Sequence, residues 1–144
     1  MININSSTFI YRPIKQVFEF ISTPENDFQW QYGTLTSART SEGDAKVGTA
    51  FQSIGHLLGY RTQSTYEVTE YEANKKYGFK SLSGPLQSFT SYTFTIAKGC
   101  TQVDLSMQAN AVNLIEFNEN VLEKKMKKQV KENLKILKNI LESE

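Results

Sequence analysis

The chain has 144 residues, and its 16 Lys and Arg against 15 Asp and Glu leave a formal net charge of +1. That balance excludes polyanion binding by bulk charge, and the length predicts one domain over residues 1–144. The single Cys100 and the single His56 exclude an internal disulfide, a cysteine-rich zinc site and a multi-histidine metal centre. We therefore predict neither a metal nor a cofactor.

The first third of the chain predicts one strand and two short helices. Residues Ile2 to Tyr11 alternate as a strand does, and Pro13 then opens a helix, where its missing N–H is not needed. A second helix-start signal at Pro24 predicts a brief helix that reaches Trp30. The first helix carries one apolar stripe made of Ile14, Val17, Phe18 and Ile21.

From Tyr32 to about Ala111, short β-branched and aromatic runs separated by turn residues predict six antiparallel strands. Successive side chains of a strand point to opposite faces of the sheet, so the residues on the apolar side of each later strand are predicted to face inward. In the longest strand, Val68 marks this inward face. The residues predicted to point inward are Tyr60, Thr62, Ser64, Tyr66, Val68, Tyr77, Phe79, Tyr92, Phe94, Ile96, Val103, Leu105, Met107 and Ala109.

The last stretch, from about Leu114 to Glu142, lacks Gly and Pro and predicts one long helix. Asn113 with Glu116 three residues later is typical of a capping box at its start. Its apolar stripe consists of Met126, Val130, Leu134, Leu137 and Leu141, widened by Phe117, Val121 and Ile140.

The order of these elements, with several short motifs in place, resembles the START-like superfamily, also called Bet v 1-like or SRPBCC. The resemblance is greatest to its polyketide cyclase/dehydrase and lipid-transport branch. The matching segments are Ile10 to Phe18, Pro24-Glu25-Asn26 with Trp30, Val47-Gly48-Thr49 with Phe51, Glu67 to Glu72, Ser83-Gly84-Pro85, Tyr92-Thr93-Phe94 and Gly99-Cys100-Thr101.

This resemblance implies an α+β helix-grip fold: a seven-stranded curved antiparallel sheet wrapped around the long C-terminal helix, with two short helices after strand 1. It also implies a cavity between sheet and helix, whose ligand differs widely among members. The residues that we expect to bind a ligand there are Trp30, Phe51, Ser64, Tyr66, Phe79, Tyr92, Phe94, Met107, Phe117 and Val121.

Two observations leave alternatives open for that cavity. Inward hydroxyls such as Ser64 and Tyr66 favour a solvated or ligand-filled space, although they could instead pair with one another. Aromatic residues such as Phe79 and Phe94 line pockets for apolar molecules, but they also form ordinary cores.

Candidate catalytic residues are few. We expect His56 at a hairpin end, on the surface and away from the cavity, with no orienting carboxylate beside it in sequence. Cys100 follows Gly99 at another hairpin, and no neighbour in sequence would activate its thiol as a nucleophile. The acidic group around Glu67, Glu70 and Glu72 is interpreted as solvated, because Glu67 has outward parity.

The terminal helix has a basic centre, with seven lysines and one acid, Glu132, between Lys124 and Lys138. A solvated helix face explains this pattern, and weak contact with an anionic membrane surface is the alternative. We predict no nucleic-acid binding, since no aromatic residues alternate with these lysines to stack on bases.

The sequence favours a non-catalytic module that binds a hydrophobic or aromatic small molecule, lipid-like or polyketide-like. A cyclase or dehydratase-like enzyme that uses the same cavity is the first alternative, and a partner-binding domain with a vestigial cavity is the second. The N-terminus has neither a basic region nor an apolar segment typical of a signal peptide, and no run of about 18 apolar residues occurs, so we predict a cytoplasmic protein. Ligand identity and oligomeric state stay open.

Overall fold

The computed structural model describes residues 1–111 and 118–144. Within them the elements are β1 (Ile2–Ile10), α1 (Ile14–Ile21), a 3-10 turn (Pro24–Asn26), α2 (Asp27–Trp30), β2 (Thr34–Arg39), β3 (Ala50–Leu57), β4 (Tyr60–Glu72), β5 (Lys76–Ser83), β6 (Gln87–Ala97), β7 (Cys100–Asn110) and α3 (Glu119–Glu142). The predicted fold class is confirmed: one seven-stranded antiparallel sheet, two short helices after the first strand and a long C-terminal helix.

The strands lie in the order β1-β7-β6-β5-β4-β3-β2, so only the pairing of β1 with β7 joins elements distant in sequence. That pairing runs without interruption from Ile2 opposite Ala109 to Ile10 opposite Thr101. Irregularities interrupt the ladder between β4 and β5, one of them between Val68 and Glu70. Such bulges increase local bend and twist, which lets the sheet curve toward a helix.

Buried residues of α1 and of the second half of α3 belong to one hydrophobic cluster, and we call this region the closed end. Phe18 of α1 contacts the rings of Phe94, at 5.1 Å between centroids, and Tyr71, at 5.5 Å. Leu137 and Leu141 of α3 are fully buried in the same cluster. The apolar stripes that predicted both helices therefore meet here in one filled core.

Helix α3 begins at Glu119, later than the sequence predicted. Asn118 has an extended backbone (φ −72°, ψ 118°), and its side chain accepts hydrogen bonds from the N–H groups of Asn120 (2.9 Å) and Val121 (3.4 Å). This arrangement satisfies two donors that the first turn leaves free. The predicted capping box of Asn113 and Glu116 lies outside the described residues, as does Phe117.

Three residues predicted to face inward are exposed instead. Val121 is 52% exposed, and its neighbour Leu122 is buried, because the helix start fixes which side of the first turn meets β1. Tyr60 is 64% exposed and Ile96 is 74% exposed, and both lie at hairpin ends of their strands. Alternation predicts the face of the sheet on which a side chain lies, but a side chain at a strand end is exposed where no other element packs over it.

Candidate functional site

Two adjoining chambers lie between the sheet and the middle of α3. The outer chamber has a volume of about 220 Å³ and the inner chamber one of about 120 Å³. The residues that border both chambers are Gln31, Tyr66, Ser88, Met107, Val130 and Asn133. The predicted cavity between sheet and helix is therefore present, divided at these shared residues.

A vestibule of about 400 Å³ adjoins the outer chamber, between the β3–β4 hairpin and the first half of α3. His56, Leu57 and Met126 border both spaces, and Lys125 and Lys128 border the vestibule alone. Its walls combine apolar side chains with these two lysines and the carboxylate of Glu132. This geometry identifies the hairpin and the helix face opposite it as the mouth of the cavity.

At this mouth, two glycines allow the segment before β2 to approach strand β3 closely. The backbone N–H of His56 donates to the carbonyl oxygen of Gly33 at 2.9 Å, which ties the α2–β2 connection to β3. A Cβ atom on Gly55 would lie 2.0 Å from the same oxygen. No residue with a side chain fits at position 55 without moving one of the two backbones.

His56 lies nearer the cavity than the sequence predicted. It borders the outer chamber and the vestibule, and its ring meets the ring of Tyr32 edge-on, with 5.3 Å between centroids. The expectation that it sits away from the cavity is therefore wrong, because the contact of Gly33 with Gly55 carries Tyr32 onto the end of β3. Cys100, the first residue of β7, is a free, partly buried thiol outside both chambers.

The walls of the chambers combine aromatic rings with buried hydroxyls. Tyr66 stacks on Phe51, at 5.0 Å between centroids, and meets Phe79 edge-on at 5.4 Å. Burial raises the pKa of Tyr66, a hydrogen bond with Ser64 counteracts this in part, and the charge of Asp27 adds to the rise. Burial likewise raises the pKa of Tyr92. Both phenols therefore stay protonated at neutral pH.

Asp27 is a buried carboxyl group that sequence reasoning missed. Burial raises the pKa of Asp27 well above its ordinary value, and the nearby Glu25 raises it further. Asp27 in turn raises the pKa of Tyr66, Tyr77 and Tyr92. A signal for its position existed, because it lies three residues before the buried Trp30 and so on the same side of α2.

The structure brings some of the predicted ligand-binding residues together at the chambers and places others elsewhere. Trp30, Phe79 and Tyr92 border the inner chamber, Ser64 borders the outer one, and Tyr66 and Met107 border both. Phe51 lies behind Tyr66, and Phe94 belongs to the closed end against Phe18. Val121 is on the exposed side of α3.

Asn133 is a wall residue that the sequence analysis did not select. Its Oδ1 accepts hydrogen bonds from the backbone N–H of Tyr32 (3.1 Å) and from Nε2 of Gln129 (2.8 Å). It stands three residues after Val130 and next to Leu134, inside the apolar stripe of α3. A polar residue in an otherwise apolar stripe was the available signal.

The charged side chains lie mostly outside the chambers. On α3, Lys127 pairs with Glu123 at 3.1 Å and Lys135 pairs with Glu132 at 3.7 Å. Glu70 accepts a hydrogen bond from the Ser91 hydroxyl at 2.8 Å. Among the residues described, no three His, Cys, Asp or Glu side chains form a group suited to a metal ion, and no helix is long and apolar enough to cross a membrane.

Several solved structures share this architecture, although their sequence identity to this chain is low. TTHA0849 from Thermus thermophilus matches with a TM-score of 0.81 and 16% identity over 95% of this chain and 94% of that one. A START superfamily protein from Mycobacterium smegmatis matches with a TM-score of 0.80 and 11% identity over 99% of both chains. The major latex-like protein 151 of Panax ginseng matches with a TM-score of 0.76 and 12% identity over 96% of both.

These likenesses confirm the START-like, Bet v 1-like helix-grip fold that the sequence resembled. A search of curated protein sequences finds no match. The family profile described as polyketide cyclase / dehydrase and lipid transport matches residues 1–142. The chain therefore belongs to the polyketide cyclase/dehydrase and lipid transport family.

Proposed function

We propose that this protein binds a hydrophobic or aromatic small molecule in the inner and outer chambers, without chemically converting it. The observation that carries the proposal is the pair of adjoining chambers between the sheet and α3, whose walls combine aromatic and aliphatic side chains with hydroxyl and amide groups. Sites for small organic ligands have this composition, because apolar contact supplies affinity and isolated polar groups fix orientation.

The volumes favour a compact ligand. The two chambers, of about 220 and 120 Å³, together fall at the lower end of the ~300–1,000 Å³ typical of small-molecule pockets. A molecule of one to three rings fits that space better than a long acyl chain. Rings would also pack favourably against Tyr66, Phe79 and Tyr92.

The charge of the walls favours a neutral ligand. No Asp, Glu, Lys or Arg occurs among the described residues that border either chamber, and His56 is the only histidine among them. An ionised ligand group placed inside would lose its hydration without gaining a countercharge. The lysines of the vestibule lie outside this region.

Native mass spectrometry of freshly purified protein is the first test, because a co-purified ligand would appear as an added mass. The second test titrates the neutral dye N-phenyl-1-naphthylamine, whose fluorescence rises in apolar surroundings. Val130→Phe fills space between the chambers and Tyr66→Ala removes a wall ring, so each should weaken dye binding about tenfold or more.

Ile96→Ala is the matched control, since Ile96 is 74% exposed and borders neither chamber. It should leave dye affinity unchanged. Equal loss in Ile96→Ala and Tyr66→Ala would indicate adsorption to the surface. Absence of dye binding, together with absence of any co-purified mass, would contradict the proposal and favour a partner-binding domain with a vestigial cavity.

A cyclase or dehydratase-like enzyme is the second candidate, and the position of His56 at the outer chamber is the observation that favours it. Among the described residues no hydrogen bond or ion pair joins its ring to a carboxylate, and its ring meets that of Tyr32 edge-on. If the protein is an enzyme of this kind, it should convert the ligand found by mass spectrometry with loss of water. His56→Ala should then abolish conversion and retain binding.

A further inference from the structure

Trp30 is a wall residue of the inner chamber and is only 3% exposed. Its indole Nε1 is buried and makes no hydrogen bond within residues 1–111 and 118–144. An indole N–H donates and does not accept, and a buried donor left without an acceptor is unfavourable. An acceptor supplied by a bound molecule would satisfy it.

Asn133 is a second residue in the wall of the same chamber that carries a hydrogen-bond donor. The backbone N–H of Tyr32 can only donate, so the Asn133 atom that it contacts is the oxygen Oδ1, which also accepts from Gln129. These two bonds fix the orientation of the side-chain amide. Its other end, Nδ2, carries two N–H donors and makes no hydrogen bond within the described part of the chain, and the residue borders both chambers.

The electrostatic surroundings favour a neutral acceptor over an anion. None of the described residues around the inner chamber is Asp, Glu, Lys or Arg. A carboxylate or phosphate would therefore be desolvated here without a countercharge.

We propose that the inner chamber binds the carbonyl oxygen of a neutral, largely apolar ligand, through the donors Trp30 Nε1–H and Asn133 Nδ2–H. The remaining rings and aliphatic side chains then contact the apolar body of that ligand. This assignment rests on the proposed function, since it names the ligand class for the same cavity. A hydrocarbon of the same shape would leave both donors without a partner.

The test compares 1-tetralone with tetralin, two bicyclic molecules that differ in a carbonyl group at one ring position. Isothermal titration calorimetry gives the affinity of each for the wild-type protein and its variants. The informative quantity is the affinity ratio of tetralone to tetralin. A change in this ratio between proteins reports a lost hydrogen bond, because the hydration of each free compound is the same throughout.

Trp30→Phe removes the indole N–H and retains an aromatic ring beside Tyr92. Asn133→Asp retains an oxygen that can accept from Tyr32 and Gln129 and replaces the amide nitrogen by a second oxygen. Each variant should lower the affinity ratio roughly threefold to tenfold, the range expected for one net hydrogen bond. Lys131→Ala, at an exposed position of the same helix, should leave the ratio unchanged.

A spectroscopic readout tests the contact itself. The chain has one tryptophan, so its ¹H–¹⁵N spectrum contains a single indole N–H resonance. Tetralone should move that resonance to higher proton frequency, as a stronger hydrogen bond does, and tetralin should not. This measurement needs no variant and therefore holds even if Trp30→Phe fails to fold.

The outcomes separate this inference from the proposed function. If tetralin and tetralone bind but Trp30→Phe and Asn133→Asp leave their ratio unchanged, the carbonyl site is wrong and the apolar cavity stands. If neither compound binds while the neutral dye does, the carbonyl site is again overturned alone. If neither compound nor the dye binds, the proposed function fails as well.

Discussion

The two halves of α3 carry the same apolar stripe and meet different surroundings. In the second half, Leu137 and Leu141 are fully buried and belong to the filled core of the closed end. In the first half, Met126 and Val130 are only partly buried and border chambers. The difference lies in what covers them: α1 fills the closed end, whereas the β3–β4 hairpin leaves open space.

Hydrogen bonds reinforce this asymmetry. At the closed end, the backbone N–H of Tyr11 donates to Glu142 Oε2 at 2.9 Å, and Lys138 donates to the same oxygen at 2.7 Å. Lys138 also lies 4.7 Å from the centre of the Tyr11 ring. The end of α3 is thus fixed to the junction of β1 and α1. We infer that stability is concentrated at the closed end and binding at the other.

The largest expected effect is the loss of packing at the closed end. Leu137→Ala removes a fully buried side chain from a filled core and should lower the free energy of unfolding by roughly 2–5 kcal/mol. Val130→Ala only enlarges an existing space beside the chambers, so its cost should be clearly smaller. Urea unfolding of both variants measures the difference. Equal losses, or a change within about 0.5 kcal/mol for Leu137→Ala, would contradict the proposed asymmetry.

The second prediction concerns the backbone approach at the mouth of the cavity. Gly55→Ala places a Cβ atom 2.0 Å from the Gly33 carbonyl oxygen, so β2 and β3 must separate there. The free energy of unfolding should fall by about 1–3 kcal/mol, the usual range for overpacking. Dye affinity should fall too, because both glycines border the outer chamber. Unchanged stability with unchanged binding would show that the mouth is loosely packed.

The sequence patterns predict the elements and their buried faces, but they do not predict which part of α3 borders a chamber. Alternation and helical spacing predicted the element order, and the stripe predicted which side of α3 is buried at Leu134 to Leu141. Neither pattern shows which residues pack opposite a given stripe residue. Val130 and Leu137 were therefore both predicted as buried stripe residues, with no sign that only Val130 borders a chamber. Phe51 and Phe94 were predicted to touch a ligand for the same reason, and they lie behind other rings.

The polar residues of the cavity were harder to predict for a different reason. Asn133 interrupts an apolar stripe and Asp27 shares the buried side of α2, so each left a local signal. Their partners, Tyr32 and the cavity tyrosines, come from distant segments, and a single sequence does not show that these segments meet. The Gly33–Gly55 approach that placed His56 at the mouth is likewise a tertiary contact.

A third prediction tests the buried carboxyl between the two ends. Because burial raises the pKa of Asp27, the folded protein holds this proton more tightly than the unfolded chain does. Stability should therefore fall as pH rises from the ordinary pKa of aspartate, about 3.9, toward the raised value. Asp27→Asn removes that slope.

The asparagine variant should be more stable than the wild type at pH 7 by more than about 0.5 kcal/mol, the scale of surface substitutions. The advantage should disappear near pH 3.5, where the wild-type carboxyl is protonated in both states. Urea unfolding at the two pH values measures this change. Asp44→Asn, in an exposed turn, is the matched control and should alter stability little at either pH. A constant difference between wild type and Asp27→Asn would show that folding leaves the pKa of Asp27 unchanged, which would contradict the prediction.

The smallest expected effect lies at the start of α3, on the cavity side of the molecule. Asn118 accepts from the N–H groups of Asn120 and Val121, so Asn118→Ala leaves both donors to water and should cost about 1 kcal/mol, within the usual ~0.5–2 kcal/mol for a cap. Asn113→Ala is the matched control, because the sequence favoured Asn113 as the cap. Urea unfolding compares them, and a larger loss in Asn113→Ala would move the helix start toward the predicted Leu114.

Since the first half of α3 contributes less packing than the second, Asn118→Ala should also increase amide hydrogen exchange around Leu122 and leave exchange at Leu137 unchanged. Faster exchange at both positions would mean that α3 unfolds as one unit, which would contradict the division into a rigid closed end and a separate cavity end.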